Sequence, residues 1–310
     1  MALNVSEART VFQDELDKQM AEELTSAWMD GNAGQVIYNG GSEVKIPILD
    51  MDGLKGYSRA DGYPSGGVTL NYQTMTMKMD RGAGFMLDAM DVNESNFVAA
   101  AGTVLGEFQR LKVVPEVDAY RYSKIHKIMA DDSAASANII SKDLNTGNIY
   151  KSISDDIQSV RDEVGENVSL LVVINGKARG LLNKNTEFTK TLNQTEFKNG
   201  SITTKVRTVD ECPVIQVPSE RMYSEYDFWA GSESGGEKGG FAKKSTAKLM
   251  NYIIIPRIAP IAVCKQDKSK IITPDLNQKA DAWFIGYRKF HDLWIKASQM
   301  NAIRICEATK

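Results

Sequence analysis

The chain has few of the residues on which most catalytic and metal sites depend. Its 310 residues include two histidines, His126 and His291, which are far apart in sequence, so a histidine-based catalytic or zinc site has no evident partners. Cys212, Cys264 and Cys306 are odd in number and have no C-x-x-C spacing. They predict three buried thiols in a reducing cytoplasm instead of a disulfide framework.

Long apolar runs and an excess of charge are also lacking. No apolar run reaches the roughly 18 residues that a membrane-spanning helix needs, and the start of the chain is acidic and amphipathic, unlike a signal peptide. We therefore expect a soluble protein made inside a cell. The 37 Lys and Arg against 40 Asp and Glu give a net charge of −3, which argues against nucleic-acid binding through bulk electrostatics. At 42% hydrophobic residues, the chain is long enough for two domains with cores.

Three short motifs begin like ligand sites but are incomplete. Asp50-Met51-Asp52-Gly53 lacks the later ligands of a calcium loop, Gly82-Ala83-Gly84 lacks the third glycine of a dinucleotide fingerprint, and Asn175-Gly176-Lys177 lacks the rest of a phosphate loop. The lysines at 243, 244 and 248 are interpreted as a solvated loop edge, His126 as an exposed helix residue and His291 as a packed one. We predict no catalytic residue, no metal and no cofactor.

A strand, a turn and a long helix are predicted between Gln73 and Ile125. Polar residues at 74, 76 and 78 alternate with methionines at 75, 77 and 79, which indicates a strand with one apolar face. The run from Asp80 to Gly84 predicts a turn. Asp91 to Glu94 has capping-box spacing, so a helix is expected to start there and to carry one apolar stripe. Pro115 predicts either the first turn of a second helix or a kink in a continuous one.

These segments resemble the spine of tailed-bacteriophage major capsid proteins, whose Hong Kong ninety-seven-type fold is shared with encapsulins. The strand ending in Asp80-Arg81-Gly82, the capped helix and the run from Val114 to Arg121 carry the resemblance. It continues, in the order found in that family, in segments at 205–218, 252–256, 262–265 and 286–293. The resemblance implies an α+β fold with an N-terminal arm (1–33), an extended β-hairpin loop (34–79), a peripheral domain with a spine helix (80–140, completed by 265–310) and an axial domain (141–264).

The arm and the hairpin are expected to contact other copies of the chain. Phe12, Leu16, Met20, Leu24 and Trp28 recur every four residues and predict a helix over residues 6–29, which either lies on a neighbouring subunit, as in the family, or packs on its own domain. In the hairpin, apolar residues alternate at 44, 46 and 48 and at 68, 70 and 72. The apolar positions then change from even to odd numbers between Tyr72 and Met75, and this change of parity predicts a bulge or bend in the strand.

Specific contact residues follow from this interpretation. The expected intersubunit contacts are Phe12, Leu16, Trp28, Lys55, Tyr57, Arg59 and Tyr63. Some capsid relatives join their subunits by a Lys–Asn isopeptide bond, for which Lys55 and Asn277 are the candidates here. Most relatives lack this bond, and the spacing carries little information.

The second half of the chain predicts a central domain of alternating helices and strands. After a polar linker at 131–148, a helix with an apolar face runs from Ile149 to Val164, and the apolar run at 169–174 indicates a strand covered on both faces. Asn175 is expected to cap a short helix, and residues 206–217 to form strands. Residues 230–240 are expected to form a mobile loop, and the C-terminal strands to rejoin the sheet that contains the Met75 to Met79 strand.

The resemblance implies a structural, non-enzymatic protein. Its copies would form pentamers and hexamers and then an icosahedral head enclosing phage double-stranded DNA, within a virion assembled in the host bacterial cytoplasm. Because the arm has only about 33 residues before the hairpin, a separate scaffolding protein is expected, together with portal and head-completion proteins. An encapsulin-type compartment around a cargo enzyme and a small soluble α+β enzyme remain the alternatives.

Overall fold

A computed structural model describes residues 23–38, 41–57, 59, 62–88, 90, 100–190, 194–199, 202–229 and 239–309. Its strands are β1 (Ile37–Tyr38), β2 (Glu43–Met51), β3 (Val68–Thr76), β4 (Met79–Asp88), β5 (Ile139–Lys142), β6 (Leu170–Asn175), β7 (Gln194–Asn199), β8 (Ile202–Val209), β9 (Cys212–Val217), β10 (Tyr226–Trp229), β11 (Gly240–Lys243), β12 (Met250–Pro256), β13 (Pro260–Ile272), β14 (Ala282–Ile295) and β15 (Arg304–Ala308).

The α-helices are α1 (Ala100–Phe108), α2 (Val114–Asp131), α3 (Ile149–Val164), α4 (Gly176–Lys184), α5 (Thr186–Lys190) and α6 (Ala297–Met300). A π-helical segment, Gln109–Val113, joins α1 to α2, and the short 3₁₀ segments are Ala27–Gln35, Ala135–Asn138, Ser219–Arg221 and Pro274–Leu276. Within the described ranges, no helix is long and apolar enough to span a membrane.

A seven-stranded mixed sheet, in the order β5-β15-β12-β6-β9-β8-β7, forms the centre of the fold. Every residue of β6 and β12 is buried, because both faces of the sheet are covered. Helices α3, α4 and α5 cover one face through Ile153, Leu182 and Phe188, and the predicted apolar side of α3 is confirmed. The other face packs against α2 and Trp28.

Two local predictions for this domain are confirmed. The uninterrupted apolar run at 169–174 forms β6, which lies in the middle of the sheet. Asn175 caps α4, since its side-chain oxygen accepts a hydrogen bond of 2.6 Å from the backbone N–H of Ala178. Of the predicted loop at 230–240, residues 230–238 lie outside the described residues, and Gly240 begins β11.

The ends of this sheet differ from expectation. The predicted linker at 131–148 contains β5, which pairs in parallel with β15 from Ile139↔Ile305 to Lys142↔Ala308. Strand β15 also pairs with β12, so the last strand belongs to the central sheet and not to the sheet of β4. The predicted Met75 to Met79 strand is divided, because Met75 lies in β3 and Met79 begins β4 in a different sheet. The prediction that the C-terminal strands rejoin its sheet is therefore right for β13 and β14 only with respect to Met79, and wrong for β15.

A second sheet has the strand order β13-β14-β4. Its strand β4 contains the residues that were predicted to form a turn. Residues 80–84 lie within β4, which pairs with β14 from Met79↔His291 to Asp88↔Ala282. The glycines allow residues of β14 to lie close to the β4 backbone and do not form a turn. A Cβ on Gly82 would lie 2.8 Å from the carbonyl oxygen of Tyr287, and one on Gly84 would lie 3.0 Å from the ring of Phe284. The predicted turn at Asp80 to Gly84 is wrong.

The long helix is continuous through its proline. The helix start predicted at Asp91 to Glu94 lies outside the described residues, but from Ala100 to Asp131 the backbone is helical throughout. Pro115 occupies the first turn of α2, directly after the π-helical segment. Proline has no N–H to donate and its ring clashes with the carbonyl of residue i−4, so widening the preceding turn keeps the axis unbroken.

Candidate assembly surfaces

The hairpin of β2 and β3 is a regular antiparallel ribbon. Its pairing runs without interruption from Glu43↔Thr76 to Met51↔Val68, so the predicted bulge or bend is absent from these two strands. The change in apolar parity has a different cause. Residues directly opposite one another lie on the same face of a ribbon, and the two halves of the hairpin present their apolar residues on opposite faces.

At its base, the hairpin packs on its own chain. Val44 and Ile46 are fully buried with Met77 against Ile261, Val263 and Trp294 of the β13–β14 body. This contact fixes one face of the ribbon. The opposite face is thereby directed away from the body along the outer half of the hairpin.

That opposite face carries an uncovered row of apolar side chains, which we call the outer stripe. Its members and their exposed fractions are Leu49 (56%), Met51 (62%), Val68 (68%), Leu70 (52%) and Tyr72 (50%). Leu49 pairs with Leu70 and Met51 with Val68, so these residues form one continuous strip. An exposed apolar strip on a ribbon that extends from its domain is typical of a surface that another protein covers.

The tip of the hairpin is organised around Asp52. Its carboxylate accepts hydrogen bonds from the N–H of Gly67 at 3.0 Å and from Nζ of Lys55 at 3.0 Å. The bond from Gly67 and then that from Lys55 lower the pKa of Asp52 below its usual value. Of the incomplete calcium-like motif, Asp50 and Met51 end β2, and Asp52 and Gly53 begin the tip. The described residues contain no group of acidic, cysteine and histidine side chains that could hold a metal ion.

The predicted contact residues at the tip are exposed. Tyr57 and Tyr63 are 62% and 92% exposed, and their rings meet edge to face with centroids 5.4 Å apart. Arg59 is also exposed. This arrangement leaves aromatic and guanidinium groups available to another molecule, and contact with a second copy stays a prediction.

The candidate crosslinking residues are each held by their own surroundings. Nζ of Lys55 also donates to the carbonyl oxygen of Ser65 at 2.9 Å. The side-chain amide of Asn277 donates to the carbonyl oxygen of Ala282 at 2.7 Å. Neither contact brings the two residues together within one chain, and an isopeptide bond between copies stays a prediction.

The N-terminal segment is fixed to its own chain from Leu24 onward. Trp28 is 3% exposed and Met29 is fully buried, both in the core beneath the central sheet. This burial corrects the predicted role of Trp28 as an intersubunit contact, and the segment from Ala27 is a 3₁₀ helix instead of the end of an α-helix. Phe12 and Leu16 lie outside the described residues.

A buried carboxylate secures this segment. Asp118 of α2 is fully buried and accepts hydrogen bonds from the backbone N–H groups and hydroxyls of Thr25 and Ser26, at 2.7 to 3.2 Å. Arg221 also donates to it at 3.0 Å. One turn further along α2, Arg121 pairs with Asp30 at 2.5 Å and donates to the carbonyl oxygen of Ser26 at 3.0 Å. The end of the four-residue pattern, from Leu24 to Trp28, is thus covered by the chain's own core.

The two histidines have structural positions. His291 is 2% exposed and meets the ring of Tyr120 edge to face, and burial, followed by the charges of Arg121 and Lys289, holds its pKa well below the usual value. Its predicted role as a packed residue is supported. His126 is not freely exposed as predicted: its Nε2 lies 2.7 Å from a carboxylate oxygen of Glu307 in β15.

The predicted solvated lysines and buried thiols have mixed outcomes. Lys243 and Lys244 are exposed, as predicted, although Nζ of Lys243 donates to the hydroxyl of Tyr223 at 3.1 Å and Nζ of Lys248 pairs with Glu307 at 2.7 Å. Of the three predicted buried thiols, Cys212 and Cys306 are buried and Cys264 is exposed.

Comparison with known proteins gives matches in structure only. No family model matches the chain, and no curated protein matches it in sequence. The mature capsid of bacteriophage PhiM1 is 13% identical, with a TM-score of 0.57 over 88% of this chain and 84% of that one. The capsid of the cyanophage P-SCSP1u is 10% identical, with a TM-score of 0.54 over 88% and 85% of the two chains. A structure from Gordonia phage Cozz is 12% identical, with a TM-score of 0.53 over 89% and 83%.

Proposed function

We propose, from the premise that this chain has the Hong Kong ninety-seven-type major capsid fold, that it is a structural and non-enzymatic shell protein. Its copies assemble into pentamers and hexamers, and these form an icosahedral phage head around double-stranded DNA. The chemistry required of such a subunit is surface contact, which needs no catalytic residue.

The outer stripe is the observation that carries this proposal beyond the fold. Five apolar side chains, each at least half exposed, lie in a row on a ribbon whose other face is anchored at its base. A protein that functions as a monomer has no use for such a strip, which invites aggregation. A second copy of the chain covers it in a shell.

The tip and the N-terminal arm are proposed to supply further contacts. We propose that Lys55, Tyr57, Arg59 and Tyr63 contact a neighbouring copy, since tyrosine and arginine are favoured in interfaces. Phe12 and Leu16 remain proposed contacts of the arm. The proposed arm, hairpin loop, peripheral and axial domains have the boundaries given above, except that β15, from the 265–310 segment, is assigned to the axial domain because it pairs in its sheet.

The partners follow from the proposed shell. Assembly takes place in the host bacterial cytoplasm with a separate scaffolding protein, and portal and head-completion proteins join the finished head in the virion. The DNA is enclosed without sequence-specific binding, consistent with a net charge of −3.

Electron microscopy of the purified chain tests the proposal. The chain, expressed with and without its candidate scaffold, is expected to form closed particles of uniform size, and particles from infected cells are expected to contain nuclease-protected double-stranded DNA. A monomer at all concentrations, with the scaffold present, contradicts the proposal. Particles that contain a protein cargo and no DNA favour the compartment alternative instead.

The hairpin is tested by replacing residues 52–66 with a short Gly-Ser turn. Because the tip makes its described contacts within itself, the melting temperature of the unassembled subunit is expected to stay nearly unchanged while stable shells are lost. Shells formed in normal yield by this variant contradict the role of the tip.

A further inference from the structure

Two arginines of the central domain share one aromatic ring. The guanidinium carbons of Arg179, on α4, and Arg207, on β8, lie 5.6 Å and 5.9 Å from the ring centroid of Phe188. Phe188 is 2% exposed and belongs to the core under α3. The ring therefore holds two positive charges close together at a fixed place on the domain.

These charges have no carboxylate partner in the described part of the chain. Nη1 of Arg179 is buried without a hydrogen-bond partner there, and burial, followed by the charge of Arg207, lowers the pKa of Arg179. Arg207 donates to Asn183, a neutral amide, at 3.3 Å. By contrast, the guanidinium groups of Arg81, Arg121 and Arg221 each pair with a carboxylate of the same chain. Among the described residues, nothing thus balances the charge of the Arg179–Arg207 pair.

The opposite charge is exposed on α3. Asp155 and Asp162 are seven residues apart on the solvent side of this helix, and Glu166 follows its last turn. All three side chains are exposed, and among the described residues none of them forms an ion pair. Asp162 accepts one long hydrogen bond, from the amide of Gln158 at 3.4 Å. We call these three residues the acidic row.

We propose that the Arg179–Arg207 pair of one copy binds the acidic row of the next copy around a ring. This inference rests on the proposed function, because two different patches that meet head to tail form rings such as pentamers and hexamers when the rotation between copies closes. Arginine recognises carboxylates through charge-assisted hydrogen bonds. Among the described residues, the acidic row has no basic partner and the arginine pair has no acidic one, so the two patches are complementary. The complementary charges of the chain itself favour a second copy over DNA phosphate as the occupant.

Charge exchange between the two patches tests the proposal. Changing Arg179→Glu with Arg207→Glu, or Asp155→Lys with Asp162→Lys, is expected to lower the particle yield at least about tenfold, because like charges then meet across the contact. All four changes together are expected to restore the yield to within about threefold of the unaltered chain, since the attraction is restored with reversed sign.

A matched control uses the same helix. Lys177→Glu with Lys184→Glu makes the same change of net charge at exposed positions of α4 outside the pair, and the yield is expected to stay within about threefold. The melting temperature of each unassembled variant shows whether it folds. If Arg179→Glu unfolds the subunit, the variant with Asp155→Lys and Asp162→Lys still tests the contact. Both aspartates are exposed on a helix surface, so their replacement is expected to leave the subunit folded.

Several results overturn the inference. Normal assembly of either two-residue charge-reversal variant overturns it. It is also overturned if the Lys177→Glu and Lys184→Glu control loses as much particle yield as these variants, or if the four-residue exchange does not raise the yield. Normal assembly with a reduced DNA content after Arg179→Glu and Arg207→Glu assigns the pair to phosphate instead. If the unaltered chain forms no particles, the proposed function fails as well, whereas normal particles from both the unaltered chain and the variants contradict only this inference.

Discussion

The outer stripe makes a quantitative prediction at Leu70. This residue is 52% exposed in the isolated chain, so assembly still has about half of a leucine side chain to bury, a gain of about 1 kcal/mol. Leu70→Asp removes this gain and places an unpartnered carboxylate in the contact, which costs about 1–3 kcal/mol more. The association constant of each contact is then expected to fall by about 30-fold to 1,000-fold.

The unassembled subunit is expected to change much less. Leu70 lies on an exposed face, so its replacement is expected to alter the free energy of unfolding by about 1 kcal/mol or less. Asn71→Asp is the matched control, because it adds the same charge at the next position on the opposite face of β3. Sedimentation velocity measures assembly, and thermal unfolding measures subunit stability.

The reasoning is refuted if the Leu70→Asp and Asn71→Asp variants assemble equally well. It is also refuted if Leu70→Asp unfolds the isolated subunit, because the outer stripe would then be part of the chain's own core. Loss of assembly with a normal melting temperature, seen for Leu70→Asp alone, supports a second copy as the cover.

Asp118→Ala is expected to destabilise the subunit by about 3–5 kcal/mol in denaturant unfolding, since it removes a fully buried carboxylate and leaves its donors unsatisfied; a loss below about 1 kcal/mol contradicts this. Burial alone would raise the pKa of Glu307, but the hydrogen bonds from Lys248 and His126 hold it below the usual value. Ionised Glu307 therefore stabilises the fold at a pH above its unfolded-state pKa, and this stabilisation is lost as the pH falls through the lower folded-state pKa. Glu307→Gln is expected to weaken the fall in unfolding free energy at acid pH. An unchanged pH dependence refutes this role of Glu307. On a boiled denaturing gel the assembled protein is expected to run as a single band, and a ladder that Lys55→Ala abolishes would establish the isopeptide bond.

The parts of the fold that were predictable have local causes. The apolar residues of α3 recur at helical spacing, and β6 is an uninterrupted apolar run. Asn175 has a side chain that can accept a hydrogen bond at the start of a helix. Each signal is contained within a few residues. For the same reason the hairpin of β2 and β3 was visible as two alternating segments.

The errors arose where contacts distant in sequence decide the structure. Gly82 resembles a turn residue, and only the carbonyl of Tyr287 against it shows why glycine is needed in a strand. The spacing that ends at Trp28 indicates an apolar side but not whether the covering surface belongs to the same chain. In the hairpin, the parity change does predict a structural event, but not a bulge: the base packs one face on the chain's own core, and the outer half carries its apolar residues on the opposite, exposed face.

The sequence predicted that the hairpin carries a contact surface, but it predicted only some of the residues that form this surface. The tip residues Tyr57 and Tyr63 stood out because they are long side chains in a glycine-rich loop. An apolar face of the hairpin available to other copies was predicted, but Leu49 and Met51 were not among its predicted members, because the free face is decided by where the base of the ribbon packs. The Arg179–Arg207 pair has no sequence signal, since α4 and β8 bring the two residues to Phe188 only in the folded chain.

The position of β15 also affects the timing of folding during synthesis. Strand β15 lies between β5 and β12, so β5 has no neighbour in the sheet until Arg304–Ala308 has left the ribosome. Trp28, made early, likewise waits for β12 and β14 to complete the core that covers it. Pairings so distant in sequence form late. A nascent chain from which β15 has not yet emerged thus has no finished central sheet.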